Sequence, residues 1–232
     1  MAYASRTGTQ RNLAALAAHG WGLLVSALGE HRHEGFERIC LDNGAWSMSQ
    51  RPCPPDPSEE ATWAPFVALL DRLGHRADFA VAPDIVCGGR ASLSLSVRWL
   101  PWVLQRTRRA LIPVQNGMEP EDVEAHVGPT VGVFIGGDTT WKEAAIGRWG
   151  PWCAARGIWC HVGRVNTTRR IRLCSAGGIA SFDGTSATRF AVTLPKLDGA
   201  RRQGCLPGLG FEEQHWAAGP LERPALPARS DG

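Results

Sequence analysis

Residues 110–136 read ALIPVQNGMEPEDVEAHVGPTVGVFIG. Two runs in it, Ala110-Leu-Ile-Pro-Val-Gln115 and Val131-Gly-Val-Phe-Ile-Gly136, are apolar throughout rather than alternating. Such runs suit parallel strands buried on both faces. Between them, Glu119-Pro-Glu-Asp-Val has the composition of a helix start. Proline is tolerated in a first helical turn, and acids there meet the positive end of the helix dipole.

The same strand-then-helix unit recurs outward in both directions. Further strand-like runs lie at 22–26, 38–42, 79–84, 158–162 and 179–183. Phe190-Ala-Val-Thr-Leu194 reads either as an eighth strand or as the start of a helix. Residues 59–73 place Trp63, Phe66, Leu69, Leu70 and Leu73 at helical spacing, with Ser58 as the expected N-cap. Segments 91–108 and 141–156 show a similar pattern. Alternation at this density predicts βα units, and seven or eight of them close a barrel. The expected fold class is therefore α/β, a (β/α)8 TIM-like barrel in a single domain. The length of 232 residues fits, since such barrels have about 250. An open doubly wound sheet is the alternative, but no G-x-G-x-x-G follows the first strand. The barrel is expected to span 1–216. The proline-containing stretch 217–232, AAGPLERPALPARSDG, is expected to be a disordered tail.

Composition narrows the function less than the fold. The net charge is +3, which by itself decides nothing about a nucleic-acid partner. Arginines do cluster, at Arg106, Arg108 and Arg109, at Arg164, Arg169, Arg170 and Arg172, and at Arg201 and Arg202. Ten tryptophans against one tyrosine leave some free to stack at a groove. The seven cysteines are odd in number and include no Cys-x-x-Cys pair. The N-terminus lacks a signal-like apolar core, and no run of eighteen apolar residues occurs. A cytoplasmic protein with reduced thiols and no membrane contact is expected. Cys40 and Cys160 read as small core residues.

The strand ends carry the chemistry. They read Asp42-Asn43-Gly44, Asp84, Gln115-Asn116-Gly117, Gly136-Gly137-Asp138, His161-Val-Gly-Arg164 and Asp183-Gly184. In a barrel these ends meet at one mouth, where active sites form. One such aspartate is more often a helix cap; three in register, each after an apolar run, point to a site. Paired carboxylates can divide the work of nucleophile and general acid/base. Gln115, a further aspartate and the backbone at Gly136-Gly137 could read a hydrogen-bonding edge of a planar base.

Taken in order, LDNGAW, APDIV, PVQNG, FIGGD, HVGRVN and SFDGTSATR resemble the tRNA-guanine transglycosylase superfamily, most closely the compact phage and bacterial 7-deazaguanine DNA transglycosylases. The resemblance covers roughly residues 20–203. It implies Asp183 as nucleophile and Asp42 as general acid/base. Asn43 and Ala45 depart from the family's Asp-Ser-Gly-Gly. It implies Asp84 and Gln115 as partners of a guanine-like edge, with Gly136 and Gly137 contacting the base through their backbone. His161 and Arg164 align with a glycine-rich strand end and are counted with the substrate-binding residues, as is Asn43. Of the structural zinc ligands that the tRNA enzymes carry after the nucleophile, only Cys205 and His215 have counterparts, too few to close a tetrahedral site.

What the resemblance implies is a pentosyltransferase exchanging guanine in DNA for a free 7-deazaguanine (preQ0-like) base through an aspartyl–sugar intermediate. Its partners would be DNA, with the target guanine flipped or single-stranded, and the free base. No cofactor or metal is implied. Arg169, Arg170 and Arg172 would grip phosphates beside the site, and Trp46 or Trp141 could stack a base. The alternatives are a tRNA-guanine transglycosylase, an N-glycosidase that hydrolyses a nucleoside bond, and a non-catalytic nucleic-acid-binding barrel.

Overall fold

In a computed structural model, which describes residues 1–5, 8–29, 32–189 and 192–203, eight parallel strands close into a barrel in sequence order. They are β1 (Ala2–Ala4), β2 (Gly22–Ser26), β3 (Ile39–Asp42), β4 (Ala80–Val81), β5 (Ala110–Val114), β6 (Val131–Ile135), β7 (Cys160–Val162) and β8 (Ser181–Gly184). The helices between them are α1 (Gln10–Ala18), α2 (Ala45–Ser49), α3 (Ala64–Leu73), α4 (Gly89–Leu104), α5 (Pro120–Val123), α6 (Thr139–Ala154), α7 (Thr168–Ala176), α8 (Ser186–Arg189) and α9 (Leu194–Arg202). The expected (β/α)8 barrel is the fold observed.

Seven of the strand-like runs lie where the sequence places them; Gly22–Ser26 keeps its bounds, the others start or stop a residue or more inside theirs, and β8 runs on to Gly184. The eighth strand is not 190–194 but β1, at the N-terminus. Phe190 and Ala191 lie outside the described residues, and Leu194 opens α9. β1 pairs with β2 on one side and β8 on the other, Tyr3 standing level with both Gly22 and Asp183. Ser58 does not cap the helix expected at 59–73. Its N–H donates to Asp56 Oδ1, and a 3-10 turn at Glu60–Trp63 precedes α3. Glu119 does open α5, its N–H donating to Asp122. α6 begins two residues earlier than expected, because the Asp138 side chain caps it at Trp141 N–H.

Two apolar layers hold the barrel. Leu23, Val25, Ile39, Leu41, Ile112, Val133 and Ile135 face outward onto the helices. Tyr3, Leu24, Cys40, Phe79, Leu111 and Trp159 fill the interior. Interior bulk requires interior gaps. A Cβ on Gly22 would come within 2.6 Å of the Tyr3 ring, and one on Gly132 would meet Trp159 O at 2.4 Å. Cys40 and Cys160 are buried core residues, as expected, and the six cysteines described are all free. On the outside, α9 is pinned by Asp198, which accepts from Trp21 Nε1, Arg201 and Arg202. No described helix is long and apolar enough to cross a membrane. The stretch 217–232 lies outside the described residues.

Candidate active site at the C-terminal mouth

The C-terminal ends of β3, β4, β5, β7 and β8 bring together Asp42, Asp84, Gln115, His161 and Asp183. Strand alternation selects which side chains point inward. Asp42 is in register with Ser26, and Asp183 with Tyr3 of the interior layer.

Asp183 is 2% exposed. Its Oδ1 lies 3.1 Å from His161 Nε2 and 3.4 Å from the Arg164 N–H. His161 is fully buried beneath it, with Phe134 stacked on the ring at 5.1 Å and Phe79 at 5.0 Å. Its tautomer follows from its partners. Trp159 Nε1 can only donate, and it does so to Ser181 Oγ at 3.0 Å. The Asp183 carboxylate accepts from Nε2, so in a neutral ring Nδ1 is the acceptor and Ser181 Oγ, 2.8 Å away, donates to it. Burial lowers the imidazole's pKa, partly opposed by the Asp183 carboxylate, which agrees with a neutral ring. The family resemblance counts His161 among substrate-binding residues. Its two nitrogens are spent on Ser181 and Asp183, so it orients Asp183 from below.

Asp42 occupies a different environment. Its Oδ2 accepts from Ser26 Oγ at 2.9 Å and from Gly44 N–H at 3.2 Å. Burial pushes its pKa up, and the Asp183 charge pushes it further in the same direction. The Ser26 and Gly44 bonds and the Arg164 charge oppose this without cancelling it. Gly44 takes φ +81°, a left-handed conformation that a glycine adopts without strain.

Asp84 is clamped between two amides. Its Oδ1 accepts from Asn43 Nδ2 at 2.8 Å and its Oδ2 from Gln115 Nε2 at 2.9 Å. Burial raises its pKa to about 6 in spite of these bonds. Asn43 is spent within the protein. It also donates to Ala82 O, and its Oδ1 accepts from Ala45 N–H. It therefore sets Asp84 rather than offering itself to a ligand. Gln115 Nε2 is likewise occupied, by Asp84 and by Ile85 O. Gln115 Oε1 is buried and has no hydrogen-bond partner. A buried acceptor left open costs about 1–3 kcal/mol, so a donor from outside the chain is favoured there. Beside Asp84 opens a cleft of about 150 Å³, lined by Met48, Pro54, Pro57, Trp63, Ile85 and Val86.

Other expected site residues stand differently. Gly136 N–H is taken by Val114 O at 2.9 Å. Gly137, at φ +71°, packs where a Cβ would strike Asn116 Oδ1 and the Trp141 ring. Trp141 thus packs against its own helix entry. Trp46 is 48% exposed, and the Arg164 guanidinium lies 3.8 Å from its ring centre. Trp46 follows β3 and Arg164 follows β7, so this contact spans opposite sides of the closed barrel above the carboxylates. Arg169 and Arg170 are not strand-end residues. They lie on α7 and both pair with Glu143 of α6. Arg172, also on α7, donates to Gln203.

Four contributors escaped the sequence reading: Ser26, Lys142, Trp159 and Ser181. Ser26 and Ser181 sit in apolar runs, where an isolated serine signals nothing. Lys142 is a helix residue, found only once α6 is laid against β7. Cys205 and His215 lie outside the described residues. Among those described, no group of three His, Cys, Asp or Glu side chains is arranged to hold a metal ion.

No protein-family model and no curated protein matches the sequence. Among solved structures, the chain is similar to the HpcH/HpaI aldolase from Desulfitobacterium hafniense DCB-2. That similarity has a TM-score of 0.46 and 11% identity, over 90% of this chain and 94% of that one.

These findings overturn the transglycosylase resemblance. No family model and no curated protein supports it. The assignment as a pentosyltransferase exchanging guanine in DNA for a 7-deazaguanine falls with it, as do its tRNA and N-glycosidase variants. The motifs have a local explanation. Gly44, Gly117 and Gly137 are left-handed turn residues after strands, and Asp138 is a helix cap. Strand, acid or amide, and turn glycine is what a barrel of this kind needs at its strand ends. The order of such motifs reports the fold rather than a reaction.

Proposed function

We propose that this chain is an acid–base enzyme that works through two unlike carboxylates, Asp42 and Asp183. Its substrate is a small polar molecule whose N–H or O–H donors meet Asp84 and Gln115 Oε1. The observation carrying this reading is the difference between the two aspartates. Asp183 accepts N–H bonds from His161 and Arg164, so it is arranged as a base or nucleophile. Asp42 is pushed toward its protonated form by burial and by the Asp183 charge, so it is arranged as a proton donor. Two carboxyl groups whose surroundings separate their proton affinities define an acid and a base. The cleft beside Asp84 supplies the place for the substrate, and the buried Gln115 Oε1 is an acceptor without a partner in the chain. That cleft is smaller than the roughly 300–1,000 Å³ of drug-sized sites, which favours a compact ligand.

Such a site moves protons to and from a bound molecule. The reaction class is an isomerisation, addition or elimination that begins with proton removal by Asp183 and ends with protonation by Asp42. Pools of small metabolites incubated with the protein in D2O test this. Mass spectrometry is expected to find deuterium entering one or a few compounds with the wild type, and none with Asp183→Asn. A compound that binds at Asp84 and gains deuterium equally with both proteins would contradict the proposal.

A further inference from the structure

Lys142 is a cation in an unfavourable place. It is 6% exposed and sits in the first turns of α6, where the helix dipole already disfavours positive charge. Burial lowers its pKa to about 8, partly offset by the Asp183 charge. Its Nζ donates to Gly163 O at 2.7 Å. That carbonyl belongs to the same peptide group as the Arg164 N–H, which points to Asp183 Oδ1 at 3.4 Å. In a trans peptide the C=O and N–H point in opposite directions. Fixing the oxygen on Lys142 therefore aims the hydrogen at Asp183.

The surrounding loop shows that this orientation is imposed. Arg164 holds φ +61°, one of two non-glycine residues described with positive φ. A non-glycine residue held in such a conformation costs on the order of 1–3 kcal/mol, so surrounding contacts must fix it. Val165 N–H donates to Asp183 O at 2.6 Å and Gly163 N–H to Ile135 O at 3.1 Å, which ties the loop to β8 and β6. Gly163 has to be glycine, since a Cβ there would come within 2.6 Å of the Phe134 ring. Rotating the Gly163–Arg164 peptide by half a turn would face a carbonyl oxygen toward the carboxylate and take the Gly163 oxygen away from Lys142 Nζ.

We infer that Lys142 is a positioning residue for Asp183, acting through the Gly163–Arg164 peptide. It locks that peptide with its N–H on the carboxylate, and its charge draws electron density from the carbonyl, which strengthens the N–H as a donor. The importance of this arrangement for turnover rests on Asp183 being the reacting carboxylate; the arrangement itself does not.

NMR of the 15N-labelled full chain tests it without any substrate. Lys142→Gln keeps a donor for Gly163 O and removes the charge, whereas Lys142→Met removes both. The Arg164 amide proton is expected furthest downfield in the wild type, further upfield in K142Q and furthest upfield in K142M. Its exchange with solvent should quicken in the same order, while amides of β5 stay in place. If K142M does not fold, K142Q alone shows the upfield move. An Arg164 amide with unchanged shift and exchange in a folded variant would overturn the inference. Failure here leaves the deuterium-exchange result unaffected, and failure of that assay leaves this one unaffected.

Discussion

Asp84 shows how much of a residue's chemistry is written by its neighbours. The residues alone place an aspartate at a strand end, and the resemblance sets it against a guanine-like edge. The structure adds two amide donors and enough burial to raise its pKa from an ordinary 3.8 to about 6. A carboxyl with a raised folded-state pKa stabilises the fold while it is protonated in both states, below about pH 4. That contribution is lost as pH rises through 6. Asp84→Asn removes the titration. Relative to wild type, the variant should therefore gain stability between pH 4 and pH 7, by about 1 kcal/mol for this partly exposed group. Urea unfolding at four pH values reads the slope. The pH-independent cost of the new amide shifts the curve without tilting it. A flat difference between the two proteins would show that Asp84 is not held protonated.

His161 makes the same point from below. The family resemblance counts His161 among the substrate-binding residues. Its fixed tautomer depends on Asp183 and Ser181, which stand near it only in the folded barrel.

At the scale of elements, legibility tracked apolar length. β2, β3, β5 and β6 were readable because each is a run of four or five residues of which all, or all but one, are buried. β1, Ala2–Ala4, was not, since three residues with one aromatic make no pattern. α7 was read as an arginine cluster because its polar side hides the helical spacing of Ile171 and Cys174. The arginines there stitch α7 to α6 through Glu143 rather than standing free at the mouth. Contact between these two helices is also backbone-close. A Cβ on Gly150 of α6 would lie 1.9 Å from Gly177 O, whereas one on Gly147, a turn earlier, meets nothing within 4 Å. Gly150→Ala should therefore destabilise the protein by about 3 kcal/mol through overpacking. Gly147→Ala should stabilise it by about 0.5–1 kcal/mol through helix propensity. Thermal denaturation of the pair checks both signs. Equal effects would mean α6 and α7 do not pack as described.

At the scale of the whole molecule, the site is a product of closure. Asp42 ends β3 and Asp183 lies on β8, and they meet only because β1 and β2 complete the ring between them. Sequence reading found all three aspartates, since strand-end acids in a barrel have one place to go. Their roles came only from the family resemblance, since they depend on what faces each across the mouth. Sequence reading could not distinguish a family from a fold, because turn glycines and capping acids recur at strand ends for structural reasons. Arg164 and Trp46, reaching over the mouth from opposite sides, likewise belong to no single segment.

The central claim is that Asp42 and Asp183 are an unlike pair, the first held toward protonation partly by the charge of the second. Carboxyl 13C NMR titration of Asp42, in wild type and in Asp183→Asn, tests it most directly. The predicted result is an Asp42 midpoint above the ordinary aspartate range in the wild type, falling when Asp183 loses its charge. An Asp42 that titrates in the ordinary range, with a midpoint indifferent to Asp183→Asn, would contradict the account.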